Sequence, residues 1–220
     1  ASLLPQRATA PEPTAAIVSL SEMLGTLTIT GESLFEEAES GLFLNNSSGT
    51  LTINAAYAYF LYMLDPGGEG TGGVGLDIRA SGSAVVNLEV PEELVFLLAE
   101  NAGLRILGYD NAAVTASLNP LGAPELIFFE GMIGTGLVGL ADGTAQVTVD
   151  VRSASFNTIY TPPPSWGGMA ALGSTDDAML EARFTNNVSV GRVGVQVLNA
   201  GRYLLDGNQI QATGTGSSMD

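Results

Sequence analysis

The chain of 220 residues has no cysteine, no histidine and no lysine, and all 7 of its basic residues are arginines, at Arg7, Arg79, Arg105, Arg152, Arg183, Arg192 and Arg202. Lack of cysteine removes disulfides and thiolate chemistry, and lack of histidine removes the imidazole general base and the usual zinc or iron ligand sets. Lack of lysine removes Schiff-base amines and the phosphate-gripping residue of a P-loop. Carboxylate chemistry, hydroxyl nucleophiles without a histidine partner and oxygen ligation of hard cations remain. The expectation is a protein that is not an enzyme.

Positive charge is scarce as well. Against 7 basic residues stand 23 acidic ones, a formal charge of -16 that repels phosphate backbones and anionic lipid, so nucleic acid is excluded as a partner. No apolar run approaches the roughly 18 residues of a transmembrane helix, so no membrane span is expected. The chain opens at Ala1 without a basic, then apolar, leader. Any secretory signal is therefore expected to have been removed, and the expected location is extracellular or at the cell surface, with a virion as the alternative.

What is abundant is glycine, 28 residues, within a composition that is 45% hydrophobic and only 14% charged. Together with a mean hydropathy of +0.28, so little charge implies that part of the exterior is covered by copies of the same chain. Two segments echo each other, Gly25 to Thr30 and Gly49 to Asn54, both alternating threonine with leucine or isoleucine. They read as half-buried strands. Their offset of about 24 residues occurs once, which does not support a solenoid of that period.

Further strands are expected at Val74 to Ala80, Ala84 to Val90, Leu104 to Tyr109, Ala113 to Leu118, Leu126 to Phe129, Ala145 to Arg152, Phe156 to Tyr160, Met179 to Thr185, Val188 to Leu198 and Arg202 to Leu205. In the clearest, Ala145, Val147, Val149 and Val151 share one face and Gln146, Thr148, Asp150 and Arg152 the other. A bend is expected near Gly191 or Gly194. Leu205 to Asn208 reads as a hairpin turn joining Arg202–Leu205 to Gln209–Ala212. Two segments read as helical. Ser33 to Ser40 carries a capping-box spacing of Ser33 and Glu36. Pro91 to Gly103 has proline at its start, acids in its first turn and glycine at its end, with a strand from Leu94 to Leu98 as the alternative.

These elements point to an all-β fold, a jelly-roll-like β-sandwich with one short covering helix. Residues 1–20 form an arm or linker plus strand, 21–212 a single domain and 213–220 a tail. Ile17, Val18 and Leu20 are candidate assembly residues, either as the first strand or as an arm exchanged between subunits. Tyr57, Tyr59 and Tyr62 join them, in a stretch from Ala55 to Leu64 that reads as a central strand or a subunit contact.

Asp65, Glu69 and Asp77 are candidate calcium ligands around the glycine-rich segment at Gly67 to Gly75, with calcium as the one cofactor considered and none the default. Trp166, the only tryptophan, is a candidate stacking surface for a glycan. The Asn-x-Ser triplets at Asn45, Asn46 and Asn187 are acceptor-like only if the chain meets a glycosylating secretory machinery; such triplets arise often by composition and add little, though their expected exposed setting is compatible with decoration. The expected function is a structural subunit of a homopolymeric extracellular filament or surface layer, its partners copies of itself. A viral capsid or decoration protein and a calcium- or carbohydrate-binding module are the alternatives.

Overall fold

The computed structural model describes residues 16–65, 72–123, 126–158, 168–175, 177–191, 193–198 and 201–212. The first turn of the chain carries β1 (Ala16–Ser21), β2 (Gly25–Ile29) and β3 (Ser33–Glu36), and the second β4 (Ser40–Asn46), β5 (Thr50–Ala55) and β6 (Ala58–Leu61). The third holds β7 (Val74–Ala80), β8 (Val85–Val90) and β9 (Leu94–Leu97), and the fourth β10 (Ala102–Gly108), β11 (Ala113–Leu118) and β12 (Ile127–Met132). The fifth holds β13 (Thr135–Ala141), β14 (Gln146–Arg152) and β15 (Ala154–Thr158), and the sixth β16 (Gly168–Ser174), β17 (Met179–Thr185) and β18 (Val188–Gly191). The last holds β19 (Val193–Leu198), β20 (Arg202–Asp206) and β21 (Gln209–Ala212).

Each strand pairs in parallel with the one three positions further on, giving three 7-stranded sheets. Sheet A runs β1-β4-β7-β10-β13-β16-β19, sheet B β2-β5-β8-β11-β14-β17-β20 and sheet C β3-β6-β9-β12-β15-β18-β21. This is a three-sided parallel β-solenoid, in which each turn buries its inward residues against the turns above and below.

The β-sandwich expectation is therefore overturned, and so is the covering helix: every pairing is parallel and no helix occurs among the described residues. Glycine and asparagine turns between short strands normally signal antiparallel hairpins. Here they mark corners, where the chain leaves one sheet for the next and returns to the first only after two further strands. The expected hairpin at Leu205 to Asn208 is such a corner. Gly207 has φ 64°, and β20 and β21 pair with β17 and β18 rather than with each other. Ser33 to Ser40 holds β3 and the first residue of β4 instead of a helix, and Pro91 to Gly103 contains β9, close to the alternative strand. In both, the phenylalanine is drawn into the core (below), a tertiary demand that outweighs a short helix.

A solenoid, unsupported by the one offset of about 24 residues, is nevertheless present, and the unequal lengths of its turns conceal it. Register partners are from about 21 residues apart, Glu181 and Arg202, to about 36, Ala58 and Leu94, so no one period runs the length of the chain, although an offset of about 33 recurs in its middle turns, as from Ala102 to Thr135 to Gly168. The echoing segments do lie side by side as β2 and β5, but Leu27 pairs with Ile53 rather than Leu51. The long segment from Val188 divides into β18 and β19 between the two glycines expected to bend it.

Two columns of residues organise the interior. In sheet C, Phe35, Phe60, Phe96, Phe129 and Phe156 are successive register partners. Their rings stack with centroids 4.7, 5.1, 4.9 and 4.4 Å apart, close to the strand spacing of about 4.8 Å that parallel pairing imposes. Each stacked pair adds about 0.5–1.5 kcal/mol beyond area burial. Facing them in sheet A is a row of glycines, Gly41, Gly75, Gly103 and Gly136, each followed by a buried leucine, Leu42, Leu76, Leu104 and Leu137. A Cβ at Gly41, Gly75, Gly103 or Gly136 would lie 2.4, 2.5, 2.7 or 2.6 Å from a ring carbon of Phe60, Phe96, Phe129 or Phe156. The row is glycine because the rings occupy the place of its side chains.

The corners impose backbone strain. Glu37, Tyr57, Tyr62, Leu98, Asn119, Ser153 and Asn186 all have φ between 50° and 58°, a left-handed conformation that costs a non-glycine residue about 1–2 kcal/mol. Asparagine side chains offset this at the corner between sheets B and C. Asn119 Nδ2 donates to Ala123 O and, across turns, to Arg152 O at 2.9 Å. Asn187 Oδ1 accepts from Ala154 N at 2.8 Å while its Nδ2 donates to Asn208 Oδ1, and Asn208 Nδ2 donates to Phe184 O at 2.7 Å.

Gly103→Ala should lower stability by about 1–3 kcal/mol through overpacking, read from the denaturant midpoint. The same substitution in a Phe129→Leu background should cost less, because the stacked ring that cannot move aside is gone. Equal costs in both backgrounds would contradict the pairing of glycine row and ring stack.

Candidate functional site

The residues singled out on the sequence fall at three places. Ile17, Val18 and Leu20 lie in β1, which pairs with β4 of the same chain. Val18 and Leu20 pack on the core and Ile17 is 46% exposed. The tyrosines do not form a continuous strand: Tyr57 and Tyr62 stand at two corners either side of β6, exposed, and Tyr59 is half-buried within it. The Tyr57 hydroxyl donates to Glu92 Oε2 at 3.4 Å, and burial followed by the Glu93 charge raises the Tyr59 phenol above its ordinary value. Glu69 and Trp166 lie outside the described residues, so the calcium and glycan readings resting on them have no structural counterpart here.

Asp65 and Asp77 are not brought together as ligands. The Asp65 carboxylate accepts from Asn101 Nδ2 at 3.0 Å, and its backbone N–H donates to Glu100 Oε2 at 2.5 Å. Asp77 is on β7, on the face of sheet A away from the core, and is fully buried. Register sets it directly opposite Arg105 of β10 and two residues from Arg79. Arg105 Nε donates to Asp77 Oδ1 at 3.0 Å and Arg105 Nη2 to Oδ2 at 2.7 Å. Arg79 donates to Oδ2 through Nε at 3.2 Å and Nη2 at 3.0 Å. The Arg79 guanidinium also lies 5.0 Å from the centre of the Phe43 ring, a cation–π contact with a neighbouring strand.

Burial alone would push the Asp77 carboxyl up, but the charge and hydrogen bonds of Arg105, then Arg79, outweigh it and hold the group below its ordinary 3.8. Burial likewise disfavours the Arg105 cation, and the Asp77 charge and hydrogen bond overcome it and raise its pKa. The acid-x-arginine spacing recurs on sheet B at Asp150 with Arg152 and Glu181 with Arg183, 2.6 Å apart in each case. These pairs are more exposed and contribute about 0–1 kcal/mol each. Among the described residues no group of three or more acidic side chains is arranged to hold a metal ion.

Of the triplet asparagines, Asn45 is half-buried, whereas the other two lack the exposed setting expected. Asn46 and Asn187 are each 1% exposed, and their side-chain amides are hydrogen-bonded, Asn46 with Met23 and Asn187 with Ala154, Val151 and Asn208.

The remaining candidate surface is one that sequence reading did not single out. Among the described residues, β1, β2 and β3 at one end of the solenoid, and β19, β20 and β21 at the other, each have a neighbour on one side only. Such edges present rows of N–H and C=O groups able to pair with another chain. Half-buried apolar side chains line the interior behind them: Val18, Leu20, Leu27 and Phe35 at the first end, Val195, Tyr203 and Ile210 at the last. Only register reveals that the first and last elements expose opposite edges of the same three sheets.

No helix among the described residues is long and apolar enough to cross a membrane. No family model, no curated protein and no solved structure matches the chain. What defines its class is the architecture, a three-sided parallel β-solenoid.

Asp77→Asn should cost about 3–5 kcal/mol, because two buried guanidiniums lose the anion they share. A depressed carboxyl pKa stabilises the fold above the unfolded value and loses that contribution as pH falls through the folded one. The wild-type melting temperature should therefore drop more steeply below about pH 4 than that of Asp77→Asn. Parallel pH profiles would show that Asp77 is not held ionised by the pair.

Proposed function

We propose that this chain is a structural subunit of an extracellular filament or surface layer, assembling with copies of itself through its strand edges. The observation that carries the reading is the pair of solenoid ends, each a three-strand edge backed by half-buried apolar side chains. Edge pairing needs no cofactor and no catalytic group, which suits a chain whose described arginines at 79, 105, 152 and 183 engage its own carboxylates. In this reading Ile17, Val18 and Leu20 act as part of the first edge strand and its core, rather than as an exchanged arm. Tyr57 and Tyr62 serve as corner residues on the flank.

The full chain should sediment as species whose mass rises with protein concentration, and negative-stain images should show rods of constant width and variable length. A single monomeric boundary at every concentration, with no rods, would remove the reading.

A further inference from the structure

Resting on that self-assembly, we infer that the partner at each end is a second copy of this chain stacked head to tail in register, β19, β20 and β21 of one copy pairing with β1, β2 and β3 of the next. Three observations carry this. The first is length: β1 and β19 have 6 residues each, β2 and β20 have 5, and β3 and β21 have 4. The strand lengths therefore match in every sheet; followed by register, the ends of sheet A coincide and those of sheets B and C are one residue apart. All strands within a sheet run parallel, so stacking in this sense preserves the pairing found within the chain, whereas a two-fold joint between like ends would turn the strands antiparallel.

The second is the side chains behind the edges. Following register from turn to turn, Val195 stands in the column of Val18, Tyr203 in that of Leu27 and Ile210 in that of Phe35. All six are half-buried apolar residues packed on the core, and stacking would complete the burial of each against its counterpart.

The third is charge. The first turn carries Glu22, Glu32, Glu36 and Glu37, all exposed, with no basic residue between Ala16 and Ser40. The last turn carries Arg202 and Asp206, both exposed. Two first ends would oppose like charges, whereas a first end against a last end meets a balanced surface with one guanidinium.

The absence of cysteine from the chain permits a direct test. Ser19 and Gln196 stand in one outward column of sheet A, so head-to-tail stacking sets Ser19 of one copy beside Gln196 of the next. Full-length Ser19→Cys and Gln196→Cys chains, mixed and oxidised, should give a covalent dimer containing one of each. Either variant alone should stay uncrosslinked, and the double variant should give a ladder of oligomers. Crosslinking of one single variant with itself would mean that like ends meet, overturning the inference. Rods by microscopy with no crosslink in any mixture would overturn the head-to-tail register while leaving self-assembly into filaments intact. A wild-type chain that is monomeric at all concentrations would remove the filament reading and this inference with it.

Discussion

The fold depends on an exchange of volume between two of its sheets. Five phenylalanine rings on sheet C stack along the solenoid at the strand repeat, and four of them fill the space that side chains would take at Gly41, Gly75, Gly103 and Gly136 of sheet A. A close-packed interior has no spare volume, so ring and glycine specify each other. Because Phe60, Phe96 and Phe129 are each held between two neighbouring rings, the stack also sets the register of sheet C, and the corners carry that register to the other two sheets. The strained corner residues persist because this packing leaves them no alternative.

Electrostatics follows from the same register. Asp77 can be ionised in a dry place only because parallel pairing puts Arg105 directly opposite it and because residues two apart on a strand share a face, bringing Arg79 in beside it. The equivalent pairs at Asp150 and Glu181 lie nearer to solvent and add little to stability. A motif that is unremarkable on an exposed strand becomes a structural necessity on a buried one, since removing the anion would leave two desolvated cations.

A solenoid also determines where its own reactive surfaces lie. Its sheets close laterally through the corners, but along the axis the ladder stops only where the strands stop. Both ends therefore present unsatisfied ladder edges among the described residues, and their apolar interiors are half-covered. The proposed assembly would draw on these edges.

Much of the secondary structure was legible in the sequence. Val74–Ala80, Ala113–Leu118 and Met179–Thr185 are strands with the expected boundaries, and the inward face of Ala145, Val147, Val149 and Val151 is buried as period 2 requires. The signals that would have revealed the architecture were also there: a short Gly-Leu element recurs at Gly41, Gly75, Gly103 and Gly136, and a phenylalanine at Phe35, Phe60, Phe96, Phe129 and Phe156. They were hidden by the unequal lengths of chain between them. The end strands had no local signature, because being at an edge is a relation to strands distant in the chain.

Local patterning was enough to show that the chain is built of β-strands, which residues alternate inward and outward, and which chemistries its missing histidine, cysteine and lysine rule out. These follow from backbone geometry and side-chain chemistry over a few residues. It took the packing of turn on turn to make the strands parallel, to wind them into three sheets without a helix among the described residues, and to bury Asp77 as an anion between two guanidiniums. Pairing direction and burial are fixed by contacts between successive turns, and no short window of sequence contains both partners.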